Sequence, residues 1–279
     1  MSKKILVLGA TGTVGSPLVN GLIARGEAVR AASRGGMPVA GSEGFAFDFS
    51  KPETIDAALE GVDRLYMLLP AGYLKIQELL LPVVEAAASR KVKIVFQSII
   101  GADADDSIPY RQIEIAIEQS GTSYVILRPN WFSDNFHTFW KQGLDHGQIA
   151  LPAGDGKSSF IDARDIADSA IAALTSTTFD GQAFNLNGPE ALTYSDAAAI
   201  LSEVTQKPIQ YTATSDQAFI DMLKSGGVPA EYAAFMASIF YPVREGWTGS
   251  VTNDVVTLTG KHPRTLKTYA QDKFRALTD

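Results

Sequence analysis

The chain predicts an α/β protein built on a doubly wound parallel sheet, with a smaller, mainly helical lobe in its second half. Three observations lead there. Short, mainly apolar runs alternate with helical stripes in the first half. A glycine-rich turn joins the first run to the first stripe. After residue 130 the sequence becomes dense in aromatics and dominated by helical patterns.

The apolar runs lie at 5–8, 28–32, 45–47, 65–69, 94–96 and 124–127. Strands of a parallel sheet are covered on both faces, so they read as continuous apolar runs and lose the alternation of a half-exposed strand. Between them, Val14, Leu18 and Leu22, widened by Val19 and Ile23, form the first helical stripe, and Gly26 stands where a helix-ending glycine belongs. Ile76, Leu79, Leu80, Val83, Val84 and Ala87 form the next. Ile113, Ala116 and Ile117 form another, stopped by Gly121. Strand alternating with helix implies right-handed crossovers and a parallel sheet. Later helices are expected at 163–174, 194–206, 215–225, 229–240 and 264–277. The expected division is a core over 1–130 and a lobe over 131–279, some segments of which return to the sheet.

Composition narrows the function classes. Apolar residues make up 46% of the 279 and charged residues 20%, as in ordinary globular chains. A formal charge of −7 and the absence of any Lys/Arg run disfavour nucleic acid as a partner. With no cysteine, disulfides, thiolate nucleophiles and Cys-type zinc sites are excluded, which fits a reducing cytoplasm. The apolar run after Lys3-Lys4 ends at Gly9, too short for a signal sequence. No stretch approaches the roughly 18 apolar residues of a membrane span. A cytoplasmic monomer or homodimer acting on a small molecule, away from membranes, is therefore expected. His137, His146 and His262 have no metal-like spacing, and Asp162 and Asp165 read as helix-start residues, so no metal is expected.

Gly9-Ala10-Thr11-Gly12-Thr13-Val14-Gly15 spells G-x-x-G-x-x-G between a strand and a helix. That context suits a Rossmann-type dinucleotide site. Gly9 permits the tight turn, Gly12 lets a pyrophosphate approach the backbone, and Gly15 lets helix pack on strand. The N–H groups and dipole of the helix start then face the phosphates. An NAD site usually ends its second strand in Asp or Glu. Here that strand ends in Ser33-Arg34. Arg34 suits a 2′-phosphate, so the expected cofactor is NADP(H); Arg30 ranks lower by its place in the alternation. Asp48 and the backbone beside Phe49 are candidates for the adenine, with a helix start before Pro52 as the alternative. Leu68, Leu69 and Pro70, then Gln97, then Asn130 and Trp131 follow later strands, at the edge where open α/β sheets bind ligands.

Three further segments carry a resemblance. The segment at 127–136, LRPNWFSDNF, is similar to the L-R-P-x-x-F-x-x-N-F signature of the NmrA-like group of atypical short-chain dehydrogenases/reductases. FIDARDIA at 160–167 resembles that group's F-I-D-x-R-D-I-A segment, and TGKHPRT at 259–265 its C-terminal T-G-x-x-P-R-T. The resemblance implies either an NADPH-dependent reductase, of quinones or triphenylmethane dyes for example, or a regulator that binds dinucleotide without catalysis.

Candidate chemistry sits after the fifth run. The short-chain superfamily uses Ser with Tyr-x-x-x-Lys; here Ser98 is followed by Tyr110 and by Glu114 where the Lys would stand. NmrA-like proteins often show His-x-x-x-Glu at this place, and Tyr110 takes the position of the His. A neutral phenol can donate a proton to a developing oxyanion. Tyr110 is thus the first candidate donor and Ser98 the second, with Glu114 orienting a neighbour. Substrate contacts are expected from Trp131, Phe132, Phe136, His137, Tyr232, Phe235 and Trp247, although packing alone explains many such rings. The leading expectation is hydride transfer to a small apolar acceptor, conjugated or quinone-like; the alternative is a non-catalytic NADP(H) redox sensor.

Overall fold

A computed structural model describes residues 3–39 and 41–274. Six strands, β1 (Lys4–Leu8), β2 (Val29–Ser33), β3 (Glu43–Ala46), β4 (Val62–Met67), β5 (Lys93–Gln97) and β6 (Tyr124–Pro129), pair in parallel in the order β3-β2-β1-β4-β5-β6. Gln182–Leu186 adds a seventh parallel strand beyond β6. The order reverses between β1 and β4. This leaves a crevice outside their carboxyl ends, where such sheets bind ligands.

The helices α1 (Gly15–Ala24), α2 (Glu53–Leu59), α3 (Ile76–Ser89) and α4 (Pro109–Gln119) alternate with these strands. Leu6, Leu8, Leu65, Met67, Ile94 and Phe96 turn to one face of the sheet, against Leu80, Val83, Ile113 and Ile117 of α3 and α4. The other face is covered in part by α1 and the helix Ala163–Thr175. A Cβ on Gly21 of α1 would collide with Ile171, so that pair relies on a bare backbone for its close approach. α1 ends as expected: Gly26 adopts φ +77°, a left-handed conformation glycine takes without strain.

The chain forms two compact units. The first comprises the residues up to Pro129, Ala163–Leu186 and Asp254–Lys261; the second comprises Asn130–Asp162, Asn187–Asn253 and the chain from His262. The helix expected at 163–174 thus belongs to the sheet unit. The second unit has its own core of Phe136, Phe160, Tyr194, Leu201, Phe240 and Tyr269. Its helix Tyr194–Thr205 starts at a capping box, in which Thr193 and Asp196 satisfy each other's backbone N–H.

The second unit is less purely helical than its sequence suggests. Gln148–Leu151 pairs in parallel with Gln210–Ala213, and Lys157–Ser158 pairs antiparallel with Leu192–Thr193. Strands of two to four residues have no period to read. The helix expected at 229–240 divides into Ala230–Ser238 and Tyr241–Arg244, the second with proline in its first turn. The last helix runs Leu266–Phe274, and the rest of the expected 264–277 span lies outside the described residues.

Candidate functional site

The turn after β1 has the geometry its glycines imply. Gly9 sits at φ +66°, and a Cβ on Gly15 would run into the Gly9 carbonyl and Ala10 Cα, so both must be glycine for α1 to start this close to β1. Gly12 differs. A Cβ there would meet only the Gly9 oxygen, at 3.1 Å, and the remaining side is open. Thr11, Gly12 and Thr13 are exposed, while Val14 and Gly15 turn inward. No side chain caps α1 and no acidic residue lies in its first turn. The Thr13 and Val14 N–H groups have no partner among the described residues. The turn therefore presents bare N–H groups and an uncompensated helix dipole, a cradle suited to phosphate.

The two arginines of β2 and its end have opposite fates. Arg30 is buried. It reaches the carbonyls of Ala57, Ala58 and Glu60, pairs with Glu43 and lies over the Phe45 ring, so it fastens α2 and β3 to the sheet. Hydrogen bonds from Lys4 and Arg30 keep the Glu43 carboxyl below its ordinary pKa despite partial burial. Arg34 is exposed, with no hydrogen bond or ion pair to any described residue. Asp48 is already occupied. Its Oδ1 accepts from the Ser50 N–H at 3.0 Å and the Ser50 hydroxyl at 2.8 Å, which lowers its pKa. This is a local turn upstream of α2, whose start at Glu53 it does not cap, and it uses one of the two carboxylate oxygens. Phe49 is buried beside Phe47 and leaves only its backbone for a ligand.

Beyond β4, Leu68 packs over the turn, its Cδ1 3.3 Å from where a Gly9 Cβ would be. Leu69 is buried and Pro70 exposed; the strand ends at Met67, before the expected Leu69. At the end of β5, Gln97 is half-buried and accepts a short hydrogen bond from the Tyr66 hydroxyl. Ser98 is buried and donates to Glu114 Oε1 at 2.6 Å. Glu114, fully buried, also accepts from Arg128 Nε at 2.9 Å and Nη2 at 2.7 Å, and from Arg111 Nη1 at 3.1 Å. Both carboxylate oxygens are thereby saturated. Glu114 thus ties Ser98 to Arg128 and Arg111, and the Ser98 hydroxyl proton is directed at Glu114. Tyr110 lies in the first turn of α4 and stacks on Phe96, ring centroids 6.2 Å apart and 16° from parallel. A helix that follows a parallel strand begins at the carboxyl edge, which places Tyr110 on the same side of the sheet as the glycine turn.

In the second unit, several expected ligand contacts prove to be internal. Asn130 is buried. Its Nδ2 donates to Asn187 Oδ1 and to the Thr248 carbonyl, both at 2.8 Å, and its Oδ1 accepts from Trp131 N–H, so little of the amide is left for a cofactor. Trp131 stacks on Phe240 at 4.8 Å. Phe132 is half-buried, its backbone bridged to Ile161. Phe136 is a core ring edge-on to Trp140 and Phe160, not a pocket wall. His137 lies 3.2 Å from the Tyr269 hydroxyl and beside Phe274. Tyr232 and Phe235 pair on Ala230–Ser238; Phe235 is 37% and Trp247 59% exposed. Among the described residues no helix is long and apolar enough to cross a membrane, and no His/Asp/Glu group is placed to hold a metal.

The NmrA-like family model matches residues 1–248. This chain belongs to the NmrA-like family. Similar proteins span nearly all of it. The uncharacterized oxidoreductase YesF of Bacillus subtilis is 32% identical over 268 residues, covering 95% of this chain and 93% of the relative. The NAD(P)H azoreductase of Xenophilus azovorans is 30% identical, covering 96% of each. The Citrobacter triphenylmethane reductase complexed with NADP(H) superimposes with a TM-score of 0.81 at 25% identity, covering 97% of this chain and 99% of that one.

Within this NmrA-like chain, three residues that shape the edge escaped the sequence reading. Tyr66 reads as one apolar residue among five in its run. Arg128 reads as part of a signature, yet it holds Glu114 on one side and Asp103 on the other. Arg111, which joins Glu114 to Glu118, carries no pattern at all. The spacing from Ser98 to Glu114 could have suggested their pairing, since both fall on the β5–α4 face.

Proposed function

We propose that the chain is an NADPH-dependent reductase that delivers hydride to a small, apolar, conjugated acceptor such as a quinone or an azo or triphenylmethane dye. The observation that carries this reading is the pairing of the open glycine cradle with Arg34 at the end of β2, which is exposed and makes no hydrogen bond or ion pair to a described residue. The cradle residues Gly9, Thr11, Gly12, Thr13, Val14 and Gly15 would hold the pyrophosphate, and Ser33 and Arg34 the 2′-phosphate. The cofactor supplies the hydride when bound.

The chain's own residues supply the rest. As hydride arrives, the acceptor's heteroatom gains negative charge and needs a donor beside it. Tyr110, in the first turn of α4 on the same side of the sheet as the glycine turn, takes that role. Gln97, Leu68, Leu69 and Pro70 flank the cofactor along the edge. Support for the acceptor class comes from relatives named for azo and triphenylmethane substrates, both extended conjugated systems. Relatives with reductase names over nearly the full length favour catalysis over a dinucleotide sensor.

The test is NADPH oxidation by the purified chain against a panel of quinones, azo dyes, triphenylmethane dyes and enones. Turnover of at least one is expected. Tyr110→Phe should then slow it by about 10²–10⁴ with NADPH affinity unchanged. Tight NADPH binding without turnover of any acceptor would sink the reductase reading. Wild-type turnover in the Phe variant would remove Tyr110 alone.

A further inference from the structure

Gln97 and Ser98 are neighbours at the carboxyl end of β5, and their side chains leave on opposite faces of the sheet. Ser98 turns to α4, where its hydroxyl donates to Glu114. Gln97 turns to the other face, where it meets Tyr66 of β4. The register agrees. Met67 pairs with Phe96 and both join the α3–α4 core, while Tyr66 and Gln97 face the opposite way.

The contact has a direction. Tyr66 is wholly buried, and burial pushes its pKa upward, so its hydroxyl stays protonated. It donates to Gln97 Oε1. A carboxamide with its oxygen turned to β4 must turn its NH₂ away. Nε2 has no partner among the described residues and is not sealed from solvent. Gln97 thus ends β5 with two N–H donors free.

Its place along the edge says what those donors can meet. β5 lies two strands from β1, about 10 Å at ordinary strand spacing, on the side away from β2 and Arg34. A dinucleotide whose pyrophosphate rests on the β1 turn and whose adenosine half lies over β2 extends its other half over β4 and β5. We infer that Gln97 donates a hydrogen bond to an oxygen of the cofactor's nicotinamide-ribose half, and that Tyr66 is a positioning residue that locks the amide with its donor side outward. This rests on the NADP(H) reading above.

Three substitutions separate lock from donor. Gln97→Glu keeps an oxygen for Tyr66 but deletes the N–H donors, and Gln97→Leu deletes donors and oxygen together without adding charge. Tyr66→Phe keeps the donors but frees the amide to turn. Calorimetric affinities would be measured for NADPH and for adenosine 2′,5′-bisphosphate, which carries the adenosine half alone, with thermal melts alongside. The expected result is a loss of about two- to tenfold for NADPH in both Gln97 variants and a smaller loss in Tyr66→Phe. Affinity for the bisphosphate should stay unchanged in all three. Unchanged NADPH affinity in Gln97→Leu would overturn the contact, and unchanged affinity in Tyr66→Phe would overturn the lock. Equal weakening of both ligands would reduce both residues to general structural roles. Failure of the cofactor reading looks different, because the wild-type chain would then bind neither ligand.

Discussion

The carboxyl edge of the sheet and the aromatic second unit look equally promising in sequence, and the structure treats them in opposite ways. At the edge, the Thr13 and Val14 N–H groups, the Arg34 guanidinium and the Gln97 amide nitrogen have no partner among the described residues. In the second unit the rings satisfy one another. Phe136 lies 4.9 Å from Trp140 and 5.2 Å from Phe160, and Tyr194 lies 5.3 Å from Phe160. The same division runs through single strands. Arg30 is spent on three carbonyls and Arg34 is not; Ser98 is spent on Glu114 and Gln97 is only half used. Residue type is thus a weak guide to function here. What marks a ligand group is a polar atom that the fold holds in place without consuming.

The contrast can be broken most directly at the cradle. Gly12→Val should abolish NADPH binding by calorimetry while the melt changes little, because the new Cβ meets only the Gly9 oxygen of the protein and the branch beyond it enters the space the pyrophosphate needs. A folded variant that binds normally would place the phosphates elsewhere. In the second unit the expectation reverses. Phe136→Ala should cost about 3–5 kcal/mol of stability, read by denaturant unfolding, since a fully buried ring leaves a cavity behind. A small loss of stability with a large loss of turnover would return Phe136 to the substrate site.

The finest test sets the two arginines against each other. Arg34→Ala should remove a preference for NADPH over NADH of about tenfold or more, equivalent to about 1.5–3 kcal/mol, and leave the melt in place. Arg30→Ala should lower the melt, because the Ala57, Ala58 and Glu60 carbonyls lose their donor, and should leave cofactor preference alone. If both variants behave alike, the distinction between spent and unspent groups has no consequence for binding.

The strand–helix rhythm, the glycine turn and the base at the end of β2 were legible in the sequence because each depends on local chemistry. Buried parallel strands read as mainly apolar runs, a turn at φ +66° requires glycine at position 9, and the end of β2 carries either an acid or a base. Whether a given side chain is free was not legible. Asn130 reads as a ligand group until Asn187 and Thr248, far along the chain, close around it. Ser98 reads as a proton donor until its hydroxyl donates to Glu114, and Tyr66 reads as one more apolar strand residue until Gln97 meets its hydroxyl. The left-handed glycine turn and the apolar runs of the sheet unit depend on residues within a few positions, so the sequence alone indicated them. Hydrogen-bond satisfaction is set by groups that only the folded chain brings together, so tertiary structure alone decided which polar atoms at the sheet edge stay open.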